Sequence, residues 1–161
     1  MTEGTSAGGM KSGIRRILSE GGGPGPVLGR ICDFLCSRME ACDWAGYYLV
    51  DPAAERELFL GPYSGAPTEH GRIGFGQGIC GQAASSLRTF LVTDVNEEDN
   101  YLSCSPDVRS EIVVPVFHRG KLVGEIDLDS HQLGGFTEED SDFLEWLAAE
   151  TGELADLARN G

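Results

Sequence analysis

The sequence predicts an α+β domain: an antiparallel sheet with N- and C-terminal helices packed on one face and a ligand pocket under loops on the other. Three observations carry that prediction. Helical periodicity is concentrated toward the two ends of the chain, five strand-like runs lie between, and the last two runs are separated only by the turn-like "HRG".

Taken in order, residues 1–12 are rich in Gly, Ser and Thr and are expected to fray, and "KSGIRRILSE" can form a short helix. The "GGGPGP" at 21–26 then breaks the chain. We therefore divide it into a flexible N-terminal segment with a short helix, 1–26, a domain, 27–158, and a tail, 159–161. The stretch "VLGRICDFLCSRMEA" places Leu28, Ile31, Cys32, Leu35 and Met39 on one helical face. Strand-like runs follow at 44–50, 57–61, 89–93, 111–117 and 121–129. A long C-terminal helix opens on Thr137 with Asp140 three residues later, a near capping box, and carries Phe143, Leu144, Trp146, Leu147, Leu154 and Leu157.

Residues two apart on a strand share a face. In 121–129, Leu122, Ile126 and Leu128 share one face with Gly124, and Val123, Glu125, Asp127 and Asp129 the other. In 111–117, Ile112, Val114 and Val116 oppose Glu111, Val113, Pro115 and Phe117, so Glu111 can join the acidic side. In 44–50 both faces are apolar, and the pattern leaves open which meets the helices. Carboxylates at i and i+2 stand about 7 Å apart and repel when poorly solvated. The pattern fits either a solvated strand face or a site for a cation such as an ammonium group.

The chain has 161 residues, 12 basic and 26 acidic, for a net charge of −14. That balance disfavours nucleic acid and anionic membrane surfaces as partners. No apolar stretch reaches the roughly 20 residues of a membrane span, and the N-terminus lacks a secretory signal, so a cytoplasmic protein is expected. Five cysteines without framework spacing read as reduced thiols. Cys32, Cys36 and Cys42 read as small hydrophobes, and His70, His118 and His131 lack companion ligand motifs, so no metal is expected. The glycines of "GFGQGICGQAA", Gly76, Gly78 and Gly81, have no βαβ unit around them. They read as a tight turn into a helix beginning near Cys80, where the helix dipole would favour a thiolate. Cys104 lies in the polar, irregular "NYLSCSPD".

The combination "DWAGYYLV", "GQGICGQAA", "VRSEIVVPV", "GEIDLDS" and "FTEEDSDFLEWLA" resembles the GAF domain and, within it, the free methionine-(R)-sulfoxide reductases, over roughly residues 27–158. The resemblance implies reduction of free L-methionine-(R)-sulfoxide to methionine through a sulfenic acid on Cys104. Cys80 would be the resolving candidate, and Trp44, Tyr48, Glu111, Asp127 and Asp129 the substrate-binding residues. It implies no bound cofactor, an external thiol reductant such as thioredoxin, a free amino acid as small-molecule ligand, and a homodimer. His70 stands where the family usually carries a further cysteine, and "YLSCSP" replaces the family's "GHIACD". The alternative is a non-catalytic GAF sensor that binds a small molecule or responds to redox state in signal transduction.

Overall fold

Apolar periodicity at the two ends and apolar strands between them produce a sheet with one face closed by helices. The computed structural model describes residues 7–54, 56–101 and 106–161. Helices α1 (Ala7–Glu20) and α2 (Pro24–Arg38) lead into β1 (Trp44–Val50), β2 (Glu57–Ser64) and β3 (Arg72–Gly74). Helix α3 (Gly78–Ser86) and β4 (Phe90–Val92) follow, and the chain closes with β5 (Ser110–His118), β6 (Lys121–Ser130) and α4 (Glu138–Asn160). The strands form one six-stranded sheet in the order β3-β2-β1-β6-β5-β4, every adjacent pair antiparallel.

Two helix boundaries differ from the sequence reading. Helix α1 begins at Ala7, inside the segment expected to fray, because Met10 and Ile14 bury against the helical layer. Helix α2 begins at Pro24 rather than near Val27: proline in a first turn gives up an N–H that has no intrahelical partner anyway, so the chain break is confined to the glycines before it. At the other end the capping box is complete. The Thr137 hydroxyl accepts from the Asp140 amide at 3.2 Å, and the Asp140 carboxylate accepts from the Thr137 amide at 2.8 Å.

The faces of β1 are now assigned. Ala45, Tyr47 and Leu49 join Ile112, Val114, Val116, Ile126 and Leu128 under the helices, while Trp44 and Tyr48 lie on the opposite face with α3. Every residue of β1 is buried, which is why alternation could not decide. The hydroxyl of Tyr47 bonds that of Thr151 at 2.9 Å and ties β1 to α4. One face assignment in β6 is corrected. Val123 packs under the helices and Leu122 on the α3 side, the reverse of the expected alternation. The register shift between Val116 and Phe117 is the cause, since an extra residue in one strand inverts the facing of those beyond it.

Helix α4 lies close on β5 because Gly152 carries no side chain. A β-carbon there would run into the Phe117 carbonyl oxygen, which belongs to the backbone and cannot swing aside. Gly152→Ala is therefore expected to lower stability by about 1–3 kcal/mol in urea unfolding, outweighing the roughly 1 kcal/mol of added helix propensity. A neutral or stabilising result would show that α4 can shift on the sheet at little cost.

Candidate functional site

Strand register sets out the site in rows. Across β1, β6 and β5, Trp44 pairs with Asp129 and Asp129 with Glu111; Gly46 pairs with Asp127 and Asp127 with Val113; Tyr48 pairs with Glu125 and Glu125 with Pro115. Cross-strand partners share a face, so Glu111, Glu125, Asp127 and Asp129 converge on the side covered by α3. All are buried, with exposures of 4%, 0%, 0% and 2% in that order. These are not a solvated strand face.

The burial is poorly compensated. Both carboxyl oxygens of Glu125, both of Asp129, and Oδ1 of Asp127 have no hydrogen-bond partner among the described residues. Removal from water pushes the carboxyls of Glu125, Asp127 and Asp129 above the ordinary carboxylate range, and the charge of Asp127 raises Glu125 and Asp129 further. Buried carboxyls with so few partners would be satisfied by a positive charge brought in by a ligand.

The Gly-rich turn supplies the opposite wall. Gly76 and Gly78 have positive φ values of 91° and 62°, and a β-carbon on Gly81 would sit 2.5 Å from the Gly74 carbonyl oxygen. These residues thus form a turn into α3, as expected from their spacing. The turn delivers Cys80 to Asp127, with Sγ donating to Oδ2 at 3.4 Å. The expected activation of Cys80 by the helix start is corrected. Burial, and then the charges of Asp127, Glu125, Glu111 and Asp129, push the thiol well above its ordinary value and hold it neutral. The helix dipole is outweighed by complete desolvation beside acids.

Cys80, Glu111 and Asp127 each offer a ligand atom within 4.8 Å of the others, the one potential metal-binding group among the described residues. The same donors suit an organic ammonium group. With His70, Ile73, Gln77, Gly78 and Ile79 they enclose a cavity of about 10 Å³, near the minimum for a single water and too small for an amino acid. A larger ligand therefore requires the walls to part.

Trp44 and Tyr48 stand beside the acids, their ring centroids 6.3 Å apart. The Trp44 indole donates to the Ala66 carbonyl at 2.9 Å and its ring stacks on Tyr63 at 5.6 Å; the Tyr48 hydroxyl donates to the His70 carbonyl at 2.8 Å. Both polar tips are thus spent on fixing the loops that cover the sheet. Cys104 lies outside the described residues, in 102–105. The chain on both sides is anchored near Cys80: Asn100 bonds the Gly76 carbonyl at 2.7 Å and the Gly78 amide at 3.2 Å, and Tyr101 and Val108 pack in the cluster that contains Cys80.

The structure therefore brings together Cys80, Glu111, Asp127 and Asp129, with Trp44 and Tyr48 on the same face. Glu125, a fourth buried acid, shares this side by alternation but lies outside the residues that the family resemblance marks. His70 is marked in the sequence only as the replacement for a family cysteine, Gln77 has no motif to mark it as a lining residue, and Asn100 gives no sign that it clamps the Gly-rich turn.

The family model described as GAF domain matches residues 26–154. The free methionine-R-sulfoxide reductase of Saccharomyces cerevisiae is 42% identical over 107 residues, 66% of this chain and 59% of the yeast protein. The chain thus spans less than two thirds of that relative's length. The free methionine-R-sulfoxide reductase of Escherichia coli is 34% identical over 124 residues, 77% of this chain and 73% of that protein. Among solved structures, that of the free methionine-R-sulfoxide reductase from Neisseria meningitidis in complex with its substrate superposes with a TM-score of 0.89 at 31% identity, covering 99% of this chain and 94% of that one. No helix among the described residues is long and apolar enough to cross a membrane.

Proposed function

We propose, because this chain belongs to the GAF domain family and is related to the free methionine-R-sulfoxide reductases, that it reduces free L-methionine-(R)-sulfoxide to methionine. The observation that carries the reading is the set of buried, uncompensated carboxyls on the α3 side of the sheet. A free amino acid brings an α-ammonium group that can ionise and satisfy them. A methionine residue inside a polypeptide has an amide nitrogen at that position and cannot.

In this mechanism Asp127, Asp129 and Glu111 hold the ammonium group, with Glu125 behind them, and Trp44 and Tyr48 flank the side chain. The Cys104 thiolate attacks the sulfoxide sulfur while a carboxylic acid of the cluster protonates the oxygen. The sulfur–oxygen bond breaks, methionine leaves with two electrons gained, and Cys104 becomes a sulfenic acid. A first external thiol, such as that of thioredoxin, displaces water to give a mixed disulfide, and a second thiol frees Cys104. We assign resolution to the external thiol ahead of Cys80, because the thiol of Cys80 is held neutral beside Asp127 and suits a hydrogen-bond donor to substrate better than a nucleophile. His70 offers no thiol at the position of the missing family cysteine. A cytoplasmic location, where thiol reductants are abundant, and a homodimer are part of the same proposal.

The test is turnover of free methionine-(R)-sulfoxide with thioredoxin or dithiothreitol. Activity is expected in the wild type and, in Cys104→Ser, a fall to the rate without protein. Folded wild-type protein with no turnover on either reductant would overturn the enzyme reading. His70 favours the second reading, a non-catalytic GAF sensor. A thermal shift with free methionine or its sulfoxide, about 2.7 kcal/mol at 100 times the dissociation constant, in the absence of turnover would support that sensor instead.

A further inference from the structure

A second group of thiols lies on the helix-covered face of the sheet, opposite the acids. Cys36 is in the last turn of α2 and Cys42 two residues before β1, and their sulfurs are 3.5 Å apart. Cys42 is buried and Cys36 half-buried. The short loop between them is held by the Met39 amide on the Leu35 carbonyl and the Cys42 amide on the Met39 carbonyl, at 2.9 and 3.0 Å. The sulfurs thus start 3.5 Å apart, against roughly 2.05 Å for a covalent disulfide.

The two thiols are chemically unlike. Hydrogen bonding from Cys42 lowers the Cys36 thiol below its ordinary value, while the same bond and burial raise Cys42. Cys36 is thus the more acidic member and the more exposed one, the combination that makes a thiol reactive. Cys42 also contacts the Trp44 carbonyl at 3.4 Å, and Cys36 the Ser64 carbonyl at 3.8 Å, so the pair sits at the starting end of β1 and the finishing end of β2.

We propose that Cys36 and Cys42 are an oxidative modification site that forms a reversible intramolecular disulfide when the protein meets a hydroperoxide. The Cys36 thiolate attacks the peroxide oxygen, the oxygen–oxygen bond breaks, and Cys36 becomes a sulfenic acid as the alkoxide or hydroxide leaves and takes a proton. The Cys42 sulfur then attacks the Cys36 sulfur, its proton leaving with the hydroxyl as water. The two thiols lose two electrons and two protons, and the peroxide gains them. The site is independent of the reductase reading, since it uses neither Cys104 nor the acids.

Trypsin offers a direct test, because Arg38 lies between the two cysteines and cleavage at Arg30, Arg38 and Arg56 puts Cys36 on peptide 31–38 and Cys42 on peptide 39–56. The full chain is reduced, freed of reductant, exposed to hydrogen peroxide, blocked at its remaining thiols and digested without reductant. The expected result is the two peptides joined, separated again by dithiothreitol, present in Cys32→Ser and Cys104→Ser and absent in Cys36→Ser. Because peptide 31–38 also holds Cys32, fragmentation of the joined wild-type peptides assigns the sulfur even if a variant fails to fold. Cys42 recovered only in its blocked form, a bond to Cys32, or a bond found only between two chains would overturn the proposal.

Discussion

Glu125→Met is expected to stabilise the ligand-free protein by about 1–3 kcal/mol, an unusual outcome for a substitution at a fully buried position. The side chain lies between Tyr48 and Pro115 in its row, and neither carboxyl oxygen has a hydrogen-bond partner among the described residues. Folding therefore strips water from a polar group, and the weak thiol donor of Cys80 beside it returns little. A methionine of similar length fills the space without that cost. Glu125→Gln keeps shape and polarity and isolates the titration. Burial, then the Asp127 charge, raise the folded carboxyl above its unfolded value, so the folded state holds its proton to higher pH. The stability this provides is fully present below the unfolded value near pH 4 and is lost as pH climbs through the folded value. The wild-type urea midpoint is thus expected to fall from about pH 4 upward more steeply than that of Glu125→Gln. Equal slopes would remove Glu125 as the source, and a loss of stability in Glu125→Met would mean that the carboxyl has a partner.

Much of this site could be read from alternation alone. Asp127, Asp129 and Glu125 fall on one side of β6 by parity, and Glu111 joins them because "EIVVPV" keeps its own parity against the apolar face. What alternation cannot supply is burial. The same string describes an acidic face in water or a pocket under α3, and the difference depends on where a separate stretch of chain folds back. The same limit explains the error at Leu122 and Val123, where a register shift that leaves no residue-level signature inverts the facing. It also explains Cys80. Its position at a helix start was legible and pointed to a thiolate, whereas the four acids that reverse that conclusion come from strands far along the chain. The contact between Cys36 and Cys42 was hidden for a different reason: helical spacing grouped Cys36 with Cys32, and only the turn after α2 brings Cys42 back to it.

Asp127→Asn is expected to weaken binding of free methionine sulfoxide by about 100-fold or more. Asparagine preserves the size of the side chain but replaces a charge with a dipole. Removing one partner from a buried ion pair costs about 3–5 kcal/mol, and each 1.4 kcal/mol is tenfold. Asp127 accepts the hydrogen bond of the Cys80 thiol and lines the cavity with Glu111, so the ammonium group would lose its central contact. The amino-blocked analogue, N-acetylmethionine sulfoxide, has no ammonium group to lose and should bind wild type and variant equally poorly. Proton release gives a second readout. The carboxyls of Asp127 and Asp129 lie above their ordinary range in the ligand-free protein, and an ammonium group between them favours their ionised forms. Binding should then expel protons, and titration calorimetry in two buffers of different ionisation enthalpy should give different heats, with the difference reduced in Asp127→Asn, where only Asp129 remains to ionise. Affinity should rise with pH until the folded carboxyls ionise on their own. Equal affinity of wild type and variant, or of the free and acetylated ligands, would mean that the buried acids do not recognise the amino group and that selectivity for the free amino acid has another origin.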